Sequence, residues 1–186
     1  MLTEQEIEII KGCRKGDPAC QKRLYLDYGP LVKGICLRYT GDTDEAGDLF
    51  HDVFIFVLTH FAEFGDITSL GGWIRRITIN KCIDYLRHKK IKEAIPMSQI
   101  EYDLPRDDGH EYDEIPMEVL LGFINRLKPK TRTAFNLFII DGYEQEEIAR
   151  MMDESQNNVR TMISRARSVL REKIRKYLRN EEYTYL

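Results

Sequence analysis

The sequence lacks the residue patterns of an enzyme, a metalloprotein or a membrane protein. Four cysteines and four histidines occur in 186 residues, at none of the spacings that metal sites use. There is no glycine-rich phosphate loop, and no serine or cysteine stands in a nucleophile motif. No stretch of about 18 residues is apolar and uncharged, so no membrane span is expected. We therefore predict no catalytic residue, no metal, no cofactor and no small-molecule substrate.

Targeting and disulfide patterns are missing as well. The first residues, MLTEQEIEII, are acidic and contain no basic segment followed by a long apolar run, so a signal peptide is not expected. Three of the four cysteines lie in helical apolar patterns, which is typical of reduced, buried thiols. These features predict a cytoplasmic protein. With 42% apolar and 32% charged residues, and with each sign of charge clustered, the chain favours two small helical units over one large core.

Residues 155–177 contain a strong helical pattern. At 100° per residue, six apolar side chains fall in one stripe suited to burial, and short polar side chains alternate with arginines on the opposite side. That polar mixture can read base edges and hold phosphates. Residues 156–179 include six Arg and two Lys against one Glu, a net of +7 in a chain of net charge −3. The alternatives are a basic helix that only packs, or one that contacts an acidic partner or a membrane. The apolar stripe consists of Val159, Met162, Ile163, Ala166, Val169 and Leu170, and the polar side of Asn157, Arg160, Thr161, Ser164, Ser168 and Arg171.

A shorter helix is predicted just before this one, over residues 144–152, with Ile148 and Met152 facing inward. Ser155 can accept a hydrogen bond from the free N–H groups of the following helix, which is the N-cap role. Asp153 stands where a turn glycine is usual, and aspartate tolerates left-handed backbone better than most residues. A short helix, a tight turn and a second helix with a polar face predict a helix-turn-helix.

The first forty residues predict structural helices. Thr3 followed by Glu6 forms a capping-box pattern at the start of a helix over residues 3–15. A second helix is expected over residues 19–28. Pro30 is expected to interrupt or kink it, after which the apolar period resumes.

Residues 42–66 hold seven Asp and Glu and no Lys or Arg. Within them, residues 45–61 predict a helix that is apolar on nearly every side, with its polar residues in the first turns. Early carboxylates can simply compensate the helix dipole. Alternatively, they form a negative, partly apolar docking patch for another protein.

A loop is expected over residues 64–72, because glycines and short polar residues are frequent there. The next helix, residues 73–90, is basic. Trp73, at its start, is either a core residue or a surface on which an unstacked base can stack beside guanidinium groups. The helix has a polar stripe of Arg76, Asn80, Asp84 and Arg87 and a buried stripe of Ile79, Cys82, Ile83 and Leu86.

Residues 92–118 carry nine acidic side chains against two basic ones and include three prolines. This composition predicts a flexible acidic linker between two domains, able to shield basic surfaces when DNA is absent. Residues 117–127 and 130–140 then predict two helices that lead into the helix-turn-helix. The expected fold is all-α.

Four segments, in this order, resemble a known family. The chain resembles the extracytoplasmic-function class of bacterial sigma factors, small promoter-specificity subunits of RNA polymerase that keep only the second and fourth conserved sigma regions. The resemblance covers nearly the whole chain outside the linker and the last few residues. The segments are GDPACQKRLYLDYGPLVKGICLRYTGDTDEAGDLFHDVFIFV, GGWIRRITINKCIDYLRHKK, LKPKTRTAFNLFIIDGYEQEEIARMM and NNVRTMISRARSVLR.

The resemblance implies two small helical domains and a set of partners. Residues 1–91 would dock on core polymerase and recognise and melt the minus-ten element, and residues 92–116 would be the flexible acidic linker. Residues 117–180 would form the helix-turn-helix domain that reads the minus-thirty-five element. The implied partners are promoter DNA, the coiled coil of the largest polymerase subunit, the flap of the second-largest subunit and an anti-sigma factor.

The resemblance also implies site residues. Polymerase would be bound by Asp48, His51, Asp52 and Phe56. A flipped base of the minus-ten element and its neighbours would be held by Phe64, Asp66, Thr68, Ser69, Trp73, Arg75, Arg76, Asn80 and Arg87. The minus-thirty-five element would be contacted by Asn157, Asn158, Arg160, Thr161, Ser164, Arg165, Arg167 and Arg171.

Two functions are compatible with these patterns. The first is a non-catalytic specificity factor that binds core polymerase and melts chosen promoters. The second is a stand-alone helix-turn-helix regulator whose N-terminal half senses a ligand. An acidic apolar helix followed by a basic loop and helix distinguishes them, because a sensor does not need that arrangement. The missing motifs disfavour a third class, a hydrolase or deaminase.

Overall fold

The computed structural model describes residues 2–61, 68–92 and 115–179, without the side chains of residues 90–92. The chain divides into two compact units, Met1–His88 and Lys89–Leu186. Every regular element within the described ranges is helical, which confirms the predicted all-α fold of two helical domains. The helices are α1 (Glu4–Arg14), α2 (Pro18–Thr40), α3 (Thr43–His60), α4 (Leu70–Lys92), α5 (Met117–Asn125), α6 (Pro129–Phe135), α7 (Gln145–Met152) and α8 (Gln156–Leu178).

Local sequence determines where the first two helices begin. The Thr3 hydroxyl accepts a hydrogen bond from the N–H of Glu6 (3.2 Å), and the Glu6 carboxylate accepts from the N–H of Thr3 (2.8 Å), so the predicted capping box is present. Asp17 caps α2, and Pro18 occupies its first turn. The Tyr28 hydroxyl donates to Glu6 at 3.1 Å. The cap of α1 is therefore also tied to α2.

Helix α2 runs through Pro30 as one helix, so an interruption, one of the two effects expected there, is absent. A proline ring normally clashes with the Cβ of the residue before it, but Gly29 has no Cβ. Gly29 is buried, and a Cβ built on it would lie 3.9 Å from Phe50 of α3. The helix continues to Gly41, whose left-handed φ of 70° ends it.

The core of the first unit lies where α2 packs against α1 and α3. Helix α3 begins at its cap Asp42, whose carboxylate accepts from the N–H groups of Asp44 (2.9 Å) and Glu45 (3.0 Å). Its acidic start thus has a structural role whether or not it docks a partner. The side chains that are almost fully buried include Leu24, Val32, Tyr39, Val53, Val57, Phe61, Leu70, Ile74 and Ile79.

Helix α4 begins at Leu70, three residues before the predicted start. The Ser69 hydroxyl accepts a hydrogen bond from the N–H of Gly72 at 3.2 Å, which is N-cap geometry. Leu70 is fully buried. The cap and this burial outweigh the poor helix propensity of two consecutive glycines. Residues 64–67 of the predicted loop lie outside the described residues.

The second predicted helix of the C-terminal unit, residues 130–140, is not α-helical throughout. Helix α6 ends at Phe135 and continues as a π-helical turn, Asn136–Ile140, which closes with a bond of 2.9 Å from the N–H of Asp141 to the carbonyl of Asn136. A π turn holds one residue more than an α turn, and it shifts the following side chains around the axis. Ile139, within this turn, has 44% of its area exposed.

Helix α8 packs on α5, α6 and α7 and forms the C-terminal core with them. Arg132 of α6 is only 4% exposed, and its guanidinium donates to the backbone carbonyl of Asn125 at 2.7 Å. Tyr177, near the end of α8, meets the ring of Phe123 edge-on at 6.1 Å. The side of α8 opposite its polar face is therefore closely packed against the rest of the C-terminal unit. The buried cluster consists of Phe123, Leu127, Phe135, Ala166 and Leu170.

Candidate nucleic-acid and docking surfaces

Helices α7 and α8 form the predicted helix-turn-helix. Asp153 adopts the left-handed conformation (φ 53°, ψ 51°), and the N–H of Glu154 donates to the carbonyl of Ala149 at 3.0 Å. This is the hydrogen-bonding pattern of a Schellman motif, which satisfies the end of α7. The Ser155 hydroxyl then accepts from the N–H of Asn158 at 3.2 Å. Both expectations for the turn, left-handed Asp153 and N-capping Ser155, are confirmed.

The two faces of α8 also follow the sequence pattern. Val159, Ile163, Ala166 and Leu170 are buried. The eight side chains assigned to the minus-thirty-five element all lie on this helix, and none is buried. Asn157, Asn158, Arg160, Thr161 and Arg167 are exposed, and Ser164, Arg165 and Arg171 are half-buried.

Several of these eight side chains, among them Thr161, Arg167 and Asn158, have a contact within their own unit. The Thr161 hydroxyl donates to the backbone carbonyl of Asn157 at 2.9 Å. The Arg167 guanidinium lies over the ring of Phe138, 5.7 Å from its centre. Phe138 belongs to the π-helical turn, so Arg167 is drawn toward one edge of the polar face. Asn157 lies closer to its middle.

An ion pair beside the turn was not expected from the sequence. The ammonium of Lys130, on α6, binds the carboxylate of Glu154, which is only 14% exposed. The other carboxylate oxygen of Glu154 accepts from the side-chain amide of Asn158 at 3.2 Å. The two charged residues are 24 positions apart, so helical periodicity carries no signal of their contact. This pair and Asn158 form the Lys130–Glu154–Asn158 link.

Several side chains assigned to the minus-ten element are exposed on α4 or just before it. Asn80 is exposed on the predicted polar stripe, and Ile79, Cys82 and Ile83 of the predicted buried stripe are buried. Arg87 forms an exposed ion pair with Asp84 at 3.7 Å, which is worth little in water. The exposed residues of the assigned set are Thr68, Ser69, Arg75, Arg76, Asn80 and Arg87. Phe64 and Asp66 lie outside the described residues.

Trp73 has a structural contact at the start of α4. Its ring meets that of Phe61 edge-on, with centres 4.9 Å apart, and Phe61 is fully buried. Trp73 itself is half-buried. One side of the indole therefore belongs to the core while part of it reaches solvent. The two roles weighed from the sequence, core and base platform, are compatible in this geometry.

Helix α3 carries the side chains assigned to polymerase. Asp48, His51 and Asp52 are exposed, and Ile55 is 62% exposed. Three polar side chains and a large apolar one thus share the solvent side of α3. This exposure is compatible with both roles weighed from the sequence, dipole compensation and a docking patch. Ile55 is a member of this surface that the site assignment from the sequence missed.

Phe56, the fourth assigned residue, differs from the other three. It is half-buried, its ring stacks on His60 at 4.3 Å, and the ammonium of Lys81 lies 4.0 Å from the ring centre. Lys81 belongs to α4, so Phe56 helps to join two helices of its own unit. A structural role is therefore visible for Phe56.

The cysteines are free thiols, with Cys13, Cys36 and Cys82 buried and Cys20 half-buried. Burial raises the pKa of Cys13 to about 11, with smaller contributions from Cys20 and Asp17, so this thiol stays protonated at neutral pH. Within the described ranges, no cluster of His, Cys, Asp or Glu could hold a metal ion. None of the described helices is both long and apolar enough to cross a membrane.

Two protein families match the chain in order. Sigma-70 region 2 matches residues 24–91, and Sigma-70, region 4 matches residues 117–170. The RNA polymerase sigma-H factor of Pseudomonas aeruginosa is 26% identical over 96% of this chain and 99% of that protein. The ECF RNA polymerase sigma-E factor of Haemophilus influenzae is 27% identical over 93% of this chain and 96% of that protein.

Solved structures show the same fold. The sigma factor RpoE of Bartonella quintana, in a co-crystal with the anti-sigma factor NepR, aligns with 81% of this chain and 94% of its own, with a TM-score of 0.51 and 20% identity.

Proposed function

The chain belongs to the sigma-70 family, within its extracytoplasmic-function group, and we propose that it guides core RNA polymerase to promoters by reading a minus-thirty-five element and melting a minus-ten element. The proposed division of labour assigns residues 1–91 to polymerase docking and minus-ten recognition and residues 117–180 to minus-thirty-five recognition. Residues 92–116 are the proposed linker. In this role the protein binds and positions other molecules and carries out no chemistry itself.

The proposal rests on the exposed polar face of α8, which is the second helix of the helix-turn-helix. Arg160 can donate two hydrogen bonds to guanine, and Asn157 can pair with adenine, since both are long enough to reach base edges in a major groove. Arginines at the flanks suit phosphates, which position a protein without reading sequence. Arg165, Arg167 and Arg171 are assigned to that role.

The exposed basic side of α4 supports the second half of the proposal. Capturing an unpaired base requires a π-face and cations nearby, because unstacking costs a few kcal/mol that the pocket must offset. Trp73 supplies part of an indole, and Arg75 and Arg76 supply charge. Asn80 is assigned to hydrogen bonding with the flipped base.

The exposed side of α3 is the proposed docking site for the coiled coil of the largest polymerase subunit. Asp48, His51, Asp52 and Ile55 would form it, with the carboxylates selecting a basic partner and Ile55 supplying apolar contact. Phe56 is assigned a supporting position beneath this patch, because Lys81 and His60 already cover its ring.

The remaining partners follow from the family. We assign the flap of the second-largest subunit to the C-terminal domain and expect an anti-sigma factor, because a sigma factor of similar fold was crystallised with one. Because core polymerase and promoter DNA are its proposed partners, we expect the protein in the cytoplasm. The stand-alone regulator with a sensing domain is not supported, since Sigma-70 region 2 accounts for residues 24–91.

Reconstituted transcription tests the proposal. The protein is mixed with bacterial core polymerase, and run-off transcripts are measured on a promoter library. Transcription from a defined subset of promoters is expected, and its absence together with a failure to capture core polymerase in a pull-down would refute the proposal. Asp52→Asn should weaken that capture. Asp27→Asn is the matched control, since Asp27 is an acidic residue of the same unit outside α3 and is paired with Arg23.

A further inference from the structure

The Lys130–Glu154–Asn158 link constrains a side chain that faces DNA in the proposed function. Glu154 is the second residue of the turn, and its backbone N–H is bonded to Ala149. Its carboxylate is held by the ammonium of Lys130, and only 14% of the side chain is exposed. Glu154 is thus anchored at both its backbone and its side chain before it reaches Asn158.

The contact with Asn158 determines which way that amide points. A carboxylate can only accept hydrogen bonds, whereas an asparagine amide has a donating nitrogen and an accepting oxygen. The group 3.2 Å from Glu154 must therefore be the amide nitrogen of Asn158. Its carbonyl oxygen consequently points away from the turn, on an exposed side chain in the first turn of α8.

An Asn158 carbonyl oxygen that points outward can accept hydrogen bonds from only some of the bases in the major groove. Adenine and cytosine present exocyclic amines there, at N6 and N4, which can donate to an acceptor. Guanine and thymine present oxygens at O6 and O4, which cannot. A free asparagine could rotate its amide and serve either kind of base, but one that is held by a carboxylate cannot do so without losing that bond.

Resting on the proposed function, we propose that Glu154, held by Lys130, is a positioning residue that fixes the Asn158 amide so that α8 selects adenine or cytosine, over guanine or thymine, at one position on one strand of the minus-thirty-five element. Glu154 does not touch the base. It acts through Asn158. If the carboxylate became an amide, the preference of α8 for adenine or cytosine at the position that Asn158 contacts would be lost.

Glu154→Gln is the informative change because it keeps the size of the side chain. Lys130 can still be served by the oxygen of the new amide, which leaves its nitrogen toward Asn158 and favours the reversed orientation there. Holoenzyme reconstituted with the full chain is used to select promoters whose minus-thirty-five element is randomised. The wild-type protein should favour adenine or cytosine at one position by about fivefold, the worth of one hydrogen bond. With Glu154→Gln, that preference should disappear or shift to guanine or thymine, while other positions keep theirs.

Two further variants separate positioning from simple loss of structure. Asn158→Ala should abolish the same preference, and adding Glu154→Gln to it should change nothing more, because the carboxylate acts only through that amide. Glu172→Gln is the matched control: it removes a carboxylate paired with Lys176 at 2.8 Å on the same helix, and base preferences should remain. If Glu154→Gln does not fold, Lys130→Gln should give a smaller loss at the same position.

The outcomes distinguish this inference from the proposed function. If the wild-type holoenzyme selects no sequence, the proposed function itself fails. If it selects a sequence but Glu154→Gln leaves every preference unchanged, the positioning role is wrong and the function stands. Equal loss at all positions, or an effect of Glu154→Gln that persists without Asn158, would likewise overturn the positioning role.

Discussion

Helices α4 and α8 each contain 23 residues and both bear several arginines, yet their polar faces are built differently. Helix α8 follows a left-handed turn and begins at a serine cap. A continuous stripe of buried residues lies opposite its polar face. The start of α4 combines a serine cap with an indole that is shared between core and solvent. A stiff helical face suits a groove that exists before binding, whereas an aromatic beside exposed cations suits bases that must first leave the duplex.

This difference gives each surface a distinct kind of sensitivity. Duplex reading should depend on how firmly α8 is held by its unit, since misplaced side chains lose contact with base edges. Strand opening should depend on a few side chains of α4 that are in contact only once bases have unstacked. Substitutions that exploit this contrast should differ widely in the size of their effect.

Removing the packing beneath α8 should have the largest effect. Ile148 of α7 is fully buried, and Ile148→Ala should destabilise the C-terminal unit by about 2–5 kcal/mol through lost burial and a cavity. Denaturant unfolding measures the change, and duplex binding should weaken with it. Ile139→Ala is the control, because Ile139 is 44% exposed and the same truncation should cost much less. Equal losses of unfolding free energy for the two variants would show that Ile148 has no special role in supporting α8.

Arg160→Ala should cost about 1–3 kcal/mol of binding to a matched minus-thirty-five duplex if the guanidinium reads a base edge. The loss should be concentrated on duplexes with one particular base, and competition binding against single-base variants measures it. Arg167→Ala is the comparison within the same face. Because Arg167 is assigned to a phosphate, its loss should weaken all duplexes alike and reduce the salt slope by about one. A uniform loss for Arg160→Ala would reassign it to phosphate contact.

Asn80→Ala should distinguish the role of α4 in strand opening from the role of α8 in duplex binding. Binding to the minus-thirty-five duplex should be unchanged, while open-complex formation should fall by about fivefold if one hydrogen bond to the flipped base is lost. Permanganate footprinting on a fixed promoter measures the opening. Asn157→Ala is the reciprocal control and should weaken duplex binding while sparing the capture of unpaired bases on a template that already contains a bubble. Normal melting by Asn80→Ala would contradict the flipped-base role.

The smallest effect is expected at the link between α1 and α2, away from both surfaces. Burial, followed by the hydrogen bond to Glu6, raises the pKa of Tyr28 to about 12. Because the folded state holds this proton more tightly than an unfolded tyrosine of pKa about 10 does, the stabilisation is complete below about pH 10 and is lost as the pH rises toward about 12.

Tyr28→Phe should therefore lower stability by no more than about 1 kcal/mol at neutral pH and should remove this part of the alkaline dependence. Urea unfolding from about pH 8 to about pH 12 measures both, because this range spans the ordinary pKa of a tyrosine hydroxyl. Tyr25→Phe is the control, since the ring contacts of Tyr25 with Phe50 and Phe54 survive the change. An unaltered alkaline slope for Tyr28→Phe would argue against the contribution of this hydroxyl.

Most of the fold could be predicted from local patterns. The stripe of α8, the capping box at Thr3, the cap at Ser155 and the left-handed Asp153 each depend on residues a few positions apart, so spacing alone carries the signal. The π-helical turn and the early start of α4 could not be predicted in this way. At Leu70, burial against the rest of the unit outweighs two glycines that read locally as a loop.

The candidate site divides along the same line. By itself, the sequence determined which side chains lie on the polar stripes of α4 and α8, because each helix has a fixed period and must bury its apolar side. Only the tertiary structure decided what those side chains touch: Lys81 over Phe56, Arg167 over Phe138, and Lys130 on Glu154, which in turn orients Asn158. Such contacts join residues far apart in the chain, so they exist only after the helices have packed.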